Sequence, residues 1–330
     1  MKVKKEFLKY IKLFFVIIFA IVVVGILWNG MCSTREKKEL KDVYGQSIEI
    51  EGKQMTVDIK NSDADGPPII LLPGWGCASP VLEFKPLAEQ LSKEYTVITI
   101  EPFGYGLSDE TDRERSVENI VEELRECILK LGYENYYLMG HSISGIYSLY
   151  WANTYPEEVK GFIGIDPSVP HMTDQENEPF PISTITLNKL SAYAGKIMNI
   201  TGVTRVLSIG NSEKAVYADF SYPYTEKELD IFRKLSMDKS YNRTVMREMD
   251  SMEKNLDTVA DYKFPDEVPV LEFVSKQNCE MMPMWETLHK NVLNDNSKLE
   301  LLEGSHYLHF EKLEKIVSET LEWVENETKE

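Results

Sequence analysis

The chain has 330 residues, 43% of them hydrophobic and 27% charged, and a formal net charge of −18 at pH 7. A chain of this length can bury a sizeable core, since single cores grow to roughly 250 to 300 residues, and the composition excludes a disordered or fibrous protein. The acidic balance argues against a nucleic-acid partner bound through phosphates, and four scattered cysteines (Cys32, Cys77, Cys127, Cys279) exclude a disulfide scaffold or a zinc cluster.

The N-terminus departs from a globular pattern. Lys2, Lys4, Lys5, Lys9 and Lys12 precede an unbroken apolar run from Leu13 to Trp28, and a charged stretch follows from Arg35 to Lys41. The run falls just below the roughly 17 to 25 residues of a spanning helix, and Met31, Cys32 and snorkelling lysines extend it. Residues 1–32 are therefore read as a signal-anchor, a single-pass transmembrane helix that meets the lipid bilayer through residues 13–28. The dense N-terminal lysines favour a cytoplasmic N-terminus and place the rest of the chain outside the cytoplasm. A cleaved signal peptide, with Gly30 and Cys32 as a poor small-x-small site, is the alternative. Without the first 32 residues, 31 basic and 53 acidic residues remain, a net charge of −22. Such a domain is repelled by anionic lipid, so apolar insertion must hold it to a membrane.

The next elements follow in order. From Gln46 two alternating runs flank Glu51-Gly52 in a hairpin pattern. Ile69 to Leu72 form a continuous apolar run, as in a strand buried on both faces. Helical spacing over Val81 to Leu91 leads to a strand at Tyr95 to Ile100. An amphipathic helix then places Val117, Ile120, Val121, Leu124, Ile128 and Leu131 on one face. A strand at Tyr136 to Met139, a helix after Ser142 that stops before Pro156, and a strand at Val159 to Ile165 continue the alternation, which implies a mainly parallel sheet. The pattern resumes with strands at Val268 to Val274 and Lys298 to Leu302 and a helix at Phe310 to Val324. The boundaries predicted are 1–32 for the anchor, 45–170 and 265–330 for the two parts of the core, and 171–264 for a helical cap, because an insertion that long is not a structureless loop.

At the end of the strand Tyr136 to Met139 stands Gly140-His141-Ser142-Ile143-Ser144-Gly145, directly before a helix. A serine on a tight strand-to-helix turn is lifted out of the sheet, and its neighbours two before and two after must be small. Gly140 meets that need and Ser144 approximates it. The competing reading of Ser142 is an ordinary helix N-cap. The chain here resembles the α/β-hydrolase superfamily from about Gln46 to Val324. Three further stretches match: Leu71-Leu72-Pro73-Gly74-Trp75-Gly76, Glu101-Pro102-Phe103-Gly104-Tyr105-Gly106-Leu107-Ser108-Asp109, and Gly304-Ser305-His306. The resemblance implies helices on both faces of the sheet, and it places an oxyanion-hole amide in the first stretch and the catalytic histidine in the last.

Acyl transfer needs a base for the serine hydroxyl and two donors for the oxyanion. The amides of Trp75 and Ile143 are the donors expected. Of five histidines, His306 stands on the loop after the last strand, in the chain order serine, acid, histidine; His309 competes with it. A His306/His309 metal pair lacks a third ligand of good spacing, so neither metal nor cofactor is expected. The third member of a catalytic triad is less clear. The family's usual aspartate slot after the seventh strand holds Asn278. Asp166, at the end of the strand after the nucleophile helix, is the acid expected, and Glu280 is the alternative. Asp166 also reads as a turn-capping residue before Pro167.

These residues make the chain a serine esterase or lipase-like hydrolase acting through an acyl-enzyme at Ser142. Relatives with aspartate at the elbow open epoxides or remove halides, and serine argues against both. Met172, Met198, Met237, Met246, Met249 and Met252, with Tyr193, Tyr217, Tyr222 and Tyr224, suit either the packed interior of the cap or an adaptable pocket for a small, apolar acyl substrate. An aminopeptidase of the same fold, or a non-catalytic extracellular binding protein on a hydrolase scaffold, are the alternatives.

Overall fold

The computed structural model describes residues 2–41, 43–174, 176–177, 183–209 and 221–327. Eight strands form one sheet: β1 (Gln46–Ile50), β2 (Lys53–Lys60), β3 (Ile69–Leu72), β4 (Val97–Glu101), β5 (Tyr136–His141), β6 (Val159–Ile165), β7 (Val270–Ser275) and β8 (Ser297–Leu302). Their spatial order is β1-β2-β4-β3-β5-β6-β7-β8. The β1/β2 and β2/β4 pairs are antiparallel and every other pair is parallel. Ile69, Ile70, Leu71 and Leu72 are fully buried in the middle of that order, each worth about 1.5 to 3 kcal/mol against exposure.

Helices cover both faces. On one lie α4 (Val117–Lys130), α5 (Ser144–Thr154) and α11 (Trp285–Val292), packed through residues such as Ile120, Trp151 and Leu288. On the other lie α3 (Lys85–Leu91) and α13 (Leu313–Glu327), packed through Leu87, Leu91, Ile316 and Trp323. Ser116 caps α4 by accepting from the Asn119 amide. The helical periodicity over Val81 to Leu91 resolves into α2 (Pro80–Glu83) and α3, broken at Phe84. The last predicted helix likewise splits into α12 (Leu308–Glu311) and α13.

Between β6 and β7 the described chain forms α6 (Thr184–Ile200), α7 (Val203–Leu207), α8 (Glu226–Lys239) and α9 (Arg243–Thr258), with no strand. Helix α9 is tied to the sheet-bearing part by buried Glu248, whose carboxylate accepts from the hydroxyls of Tyr105 (2.9 Å) and Tyr147 (2.7 Å). Burial holds that carboxyl above its ordinary value. A short helix after β7, α10 (Lys276–Met281), completes the set.

Helix α1 (Lys2–Glu39) is longer than the anchor read from the sequence. Its apolar residues from Phe7 to Met31 are largely exposed, and it is the one helix among the described residues long and apolar enough to cross a membrane. The helix does not stop at residue 32, because its polar end docks on the helical insertion. Glu36 pairs with Arg205, and Lys234 with Glu39 at 2.8 Å. Leu40 then packs with Ile231, Phe232 and Leu235.

Candidate active site

The site is assembled at the carboxyl ends of the parallel strands. Ser142 follows β5 with φ of 54°, in the left-handed region that costs a non-glycine residue roughly 1 to 3 kcal/mol. The conformation is enforced by backbone bonds: the Ser142 amide donates to the Ile165 carbonyl at 3.3 Å, and its own carbonyl accepts from Gly145 at 2.9 Å and Ser168 at 2.7 Å. The turn also needs space, since a Cβ on Gly145 would stand 2.5 Å from Pro167 Cβ. Ser144, where the pattern favours glycine, uses its hydroxyl to donate to the Pro73 carbonyl. That bond ties the start of α5 to the Pro73-Gly76 turn. A Cβ on Gly74 would lie 2.8 Å from His141 Nδ1 and 3.2 Å from Ser142 Cβ, so glycine lets the turn carrying the Trp75 amide approach this closely. The Ile143 amide stands at the start of α5, where backbone N–H groups and the helix dipole favour negative charge. The Trp75 ring lies apart from its amide's neighbourhood: its Nε1 donates to the Val245 carbonyl at 3.0 Å.

His306, on the loop after β8, bonds Asp166 Oδ2 through Nδ1 at 2.6 Å. Asp166 is fully buried and its side chain gathers three further donors, the Ser275 amide at 2.9 Å, Trp285 Nε1 at 3.0 Å and Asn278 Nδ2. Burial pushes its carboxyl up, but the hydrogen bond and charge of His306 and the Ser275 amide outweigh this, so it lies below its ordinary value. Glu280 is exposed on α10, away from this cluster. Asn278 occupies the slot noted in the sequence and spends its amide on Asp166. Sequence reasoning missed Trp285 as a donor, since nothing in a lone tryptophan near Met-Met-Pro-Met reports a partner 119 positions away.

The remaining histidines take other places. His141 is buried, and its Nε2 donates to the His306 carbonyl at 3.1 Å. A carbonyl only accepts, so Nε2 carries the proton. Burial, then the neighbouring His306 and His309, hold its pKa far below the usual range. His309 lies buried behind it, 3.6 Å from Glu83, with no bond to Asp166. Glu83, His141 and His309 bring three possible ligand atoms within 4.8 Å of one another. That group does not include His306, so it does not complete the His306/His309 pair considered from the sequence. His171 is exposed beside Asp174, and His289 is buried against Glu272 at 2.7 Å.

Ser142, His306, Trp75 and Ile143 line one cavity of about 960 Å³. Met172, Met249 and Met252 line it too, whereas Met237 and Met246 are buried packing and Met198 is exposed. Tyr193 is also exposed and Tyr222 and Tyr224 pack outside, near Glu89 and Leu82; Tyr217 lies outside the described residues.

The family model of the alpha/beta hydrolase fold matches residues 67–184. The chain has the α/β-hydrolase fold. Among relatives of this hydrolase, an uncharacterized protein of Bacillus subtilis (strain 168), YbdG, is 27% identical over 83% of each chain. An epoxide hydrolase of Vigna radiata is 15% identical with a TM-score of 0.63, over 87% of this chain and 99% of that one. An esterase of Exiguobacterium antarcticum is 20% identical with a TM-score of 0.59, over 86% of this chain and all of that one (100%). Both solved structures share the fold; neither specifies the bond cleaved.

Proposed function

We propose that this hydrolase cleaves an acyl ester through an acyl-enzyme at Ser142, held at a membrane by α1. The observation that carries the reading is a serine in a left-handed strand-to-helix turn sharing a cavity with a histidine whose Nδ1 is held by a buried carboxylate. With Nδ1 committed to Asp166, His306 Nε2 is the nitrogen that takes the Ser142 proton and returns it to the leaving group. The Trp75 and Ile143 amides take the oxyanion, and water then attacks the acyl-enzyme. Serine at the elbow separates this reading from the epoxide hydrolases that share the fold, because epoxide opening in that fold uses an aspartate there. Methionines on the cavity wall suit an apolar acyl group of variable shape.

The test is labelling by a fluorophosphonate probe and turnover of short acyl esters. The native chain is expected to react, and Ser142→Ala to lose labelling and at least about a thousandfold in kcat. Equal labelling of the two proteins would overturn the assignment.

A further inference from the structure

Helices α6 and α7 present an apolar surface of a kind soluble proteins rarely leave open. Leu190, Ile197, Leu207 and Ile209 are each 64% to 73% exposed, and Val206 is 57% exposed. Contiguous patches of this sort mark contact with another apolar phase or partner. The charge pattern says which. In a chain of net charge −18, residues 184–209 contain Lys189, Lys196 and Arg205 and no acidic residue. Arg205 is buried against Glu36 of α1 and Lys189 lies 3.9 Å from Glu253, but the segment itself adds no carboxylate to the apolar side chains, and Lys196 stands among them, a composition that matches the boundary between acyl chains and headgroup phosphates.

The patch is also continuous with the apolar part of α1. A Cβ on Gly25 would lie 2.3 Å from the Thr201 carbonyl oxygen, and one on Gly202 would lie 3.2 Å from the Gly25 oxygen and 3.3 Å from the Trp28 ring. Glycine at both positions lets the two backbones touch. Arg205 continues the contact along α1, bonding Asn29 at 2.6 Å, Ser33 at 3.3 Å and Glu36 at 2.7 Å. Gly25 lies one helical turn before the apolar run ends at Trp28, so Thr201 sits about 5 Å inside that run at about 1.5 Å per residue. Interfacial helices bury to about 5 to 10 Å. The opposite side of α6 faces inward, where Thr184, Asn188, Ser191 and Ala192 line the cavity of Ser142.

We propose that α6 and α7 lie in the lipid surface beside α1 and form with it one membrane-embedded unit, so that the α6 wall of the catalytic cavity rests against the bilayer. The proposal rests on α1 being a membrane span and is independent of the chemistry at Ser142. It is tested on the full chain in nanodiscs of phosphatidylcholine and phosphatidylglycerol, with Cys32→Ser and Cys279→Ser as background. A nitroxide is attached in turn at Ile197→Cys, Leu207→Cys, Val16→Cys in α1 and Lys227→Cys on exposed α8. Labels at 197 and 207 are expected to collide more with oxygen than with an aqueous nickel chelate, approaching the ratio at 16, while 227 shows the reverse. Labels at 197 and 207 that behave as 227 does, with 16 in lipid, would overturn the embedding alone. An aqueous label at 16 would overturn the span and the embedding with it, leaving the reading of Ser142 to its own probe test.

Discussion

Two buried polar groups lie on either side of His306 and resolve burial in opposite ways. Asp166 is surrounded by four donors from β7, α10, α11 and the His306 ring, and they favour its charged form despite burial. His141 has one acceptor, the His306 carbonyl, and two other imidazoles for neighbours, so its charged form is suppressed. Both are nearly inaccessible. Burial alone therefore does not decide ionisation; the number and sign of the partners does. The consequence for His306 is an anion on one side and a neutral brace on the other.

The largest expected effect comes from removing the anion. Asp166→Asn keeps the size but loses the charge and favours the wrong tautomer of His306, and kcat is expected to fall by about 10⁴ with the thermal midpoint close to that of the native chain. A near-normal rate would end the case for Asp166 as the acid. A smaller effect follows from spoiling the donor set. Asn278→Asp replaces a donor with a second carboxylate beside Asp166, and like charges this close shift at least about one pKa unit, a factor of about ten. The acidic limb of kcat/KM is expected to move to higher pH. From sequence alone the same substitution reads as neutral or as a disturbance of the turn, and an unchanged pH profile would favour that reading.

The smallest effect tests the neutral side. The ordinary pKa of histidine is 6.5, and that of His141 in the folded chain is well below it. Between those two values the unfolded chain binds a proton that the folded one refuses. Stability is thus fully present above about pH 6.5 and declines as pH falls below it, by up to about 1.4 kcal/mol per pH unit. Urea unfolding of the native chain and of His141→Asn at pH 7.5 and 5.5 should show that the variant loses less stability on acidification. Parallel losses would mean that His141 is not held neutral.

The sheet was the most legible part of the molecule. Ile69 to Leu72 read as a strand because a continuous apolar run bounded by turns has few other uses, and Val159 to Ile165 read as one from its place in the strand–helix alternation. The Ser142 turn was legible because its steric needs are local, within Gly140 to Gly145. Helix boundaries were less so: nothing local explains why α1 continues past Cys32, since the reason is Arg205, 169 positions from Glu36. The surroundings of Asp166 were hidden for the same cause. Chain order offered Asp166 and Glu280 as rivals, but the partners that distinguish them come from β7, α10 and α11, and only the closed sheet edge brings these together.

The docking of α1 on the helical insertion has a mechanical consequence. A membrane enzyme on a flexible stalk samples a hemisphere of orientations, and its substrate must find a moving target. Here the apolar stretch passes into the polar end of the same helix with no proline and with Gly30 as the single glycine between Trp28 and Glu39, the helix running unbroken through it, and that end is clamped by Glu36, Glu39 and Leu40. From Trp28 to Glu39 the helix rises about 17 Å. With α1 in a bilayer, the clamp fixes the height and bearing of the cavity above the lipid surface instead of leaving both to a swinging tether.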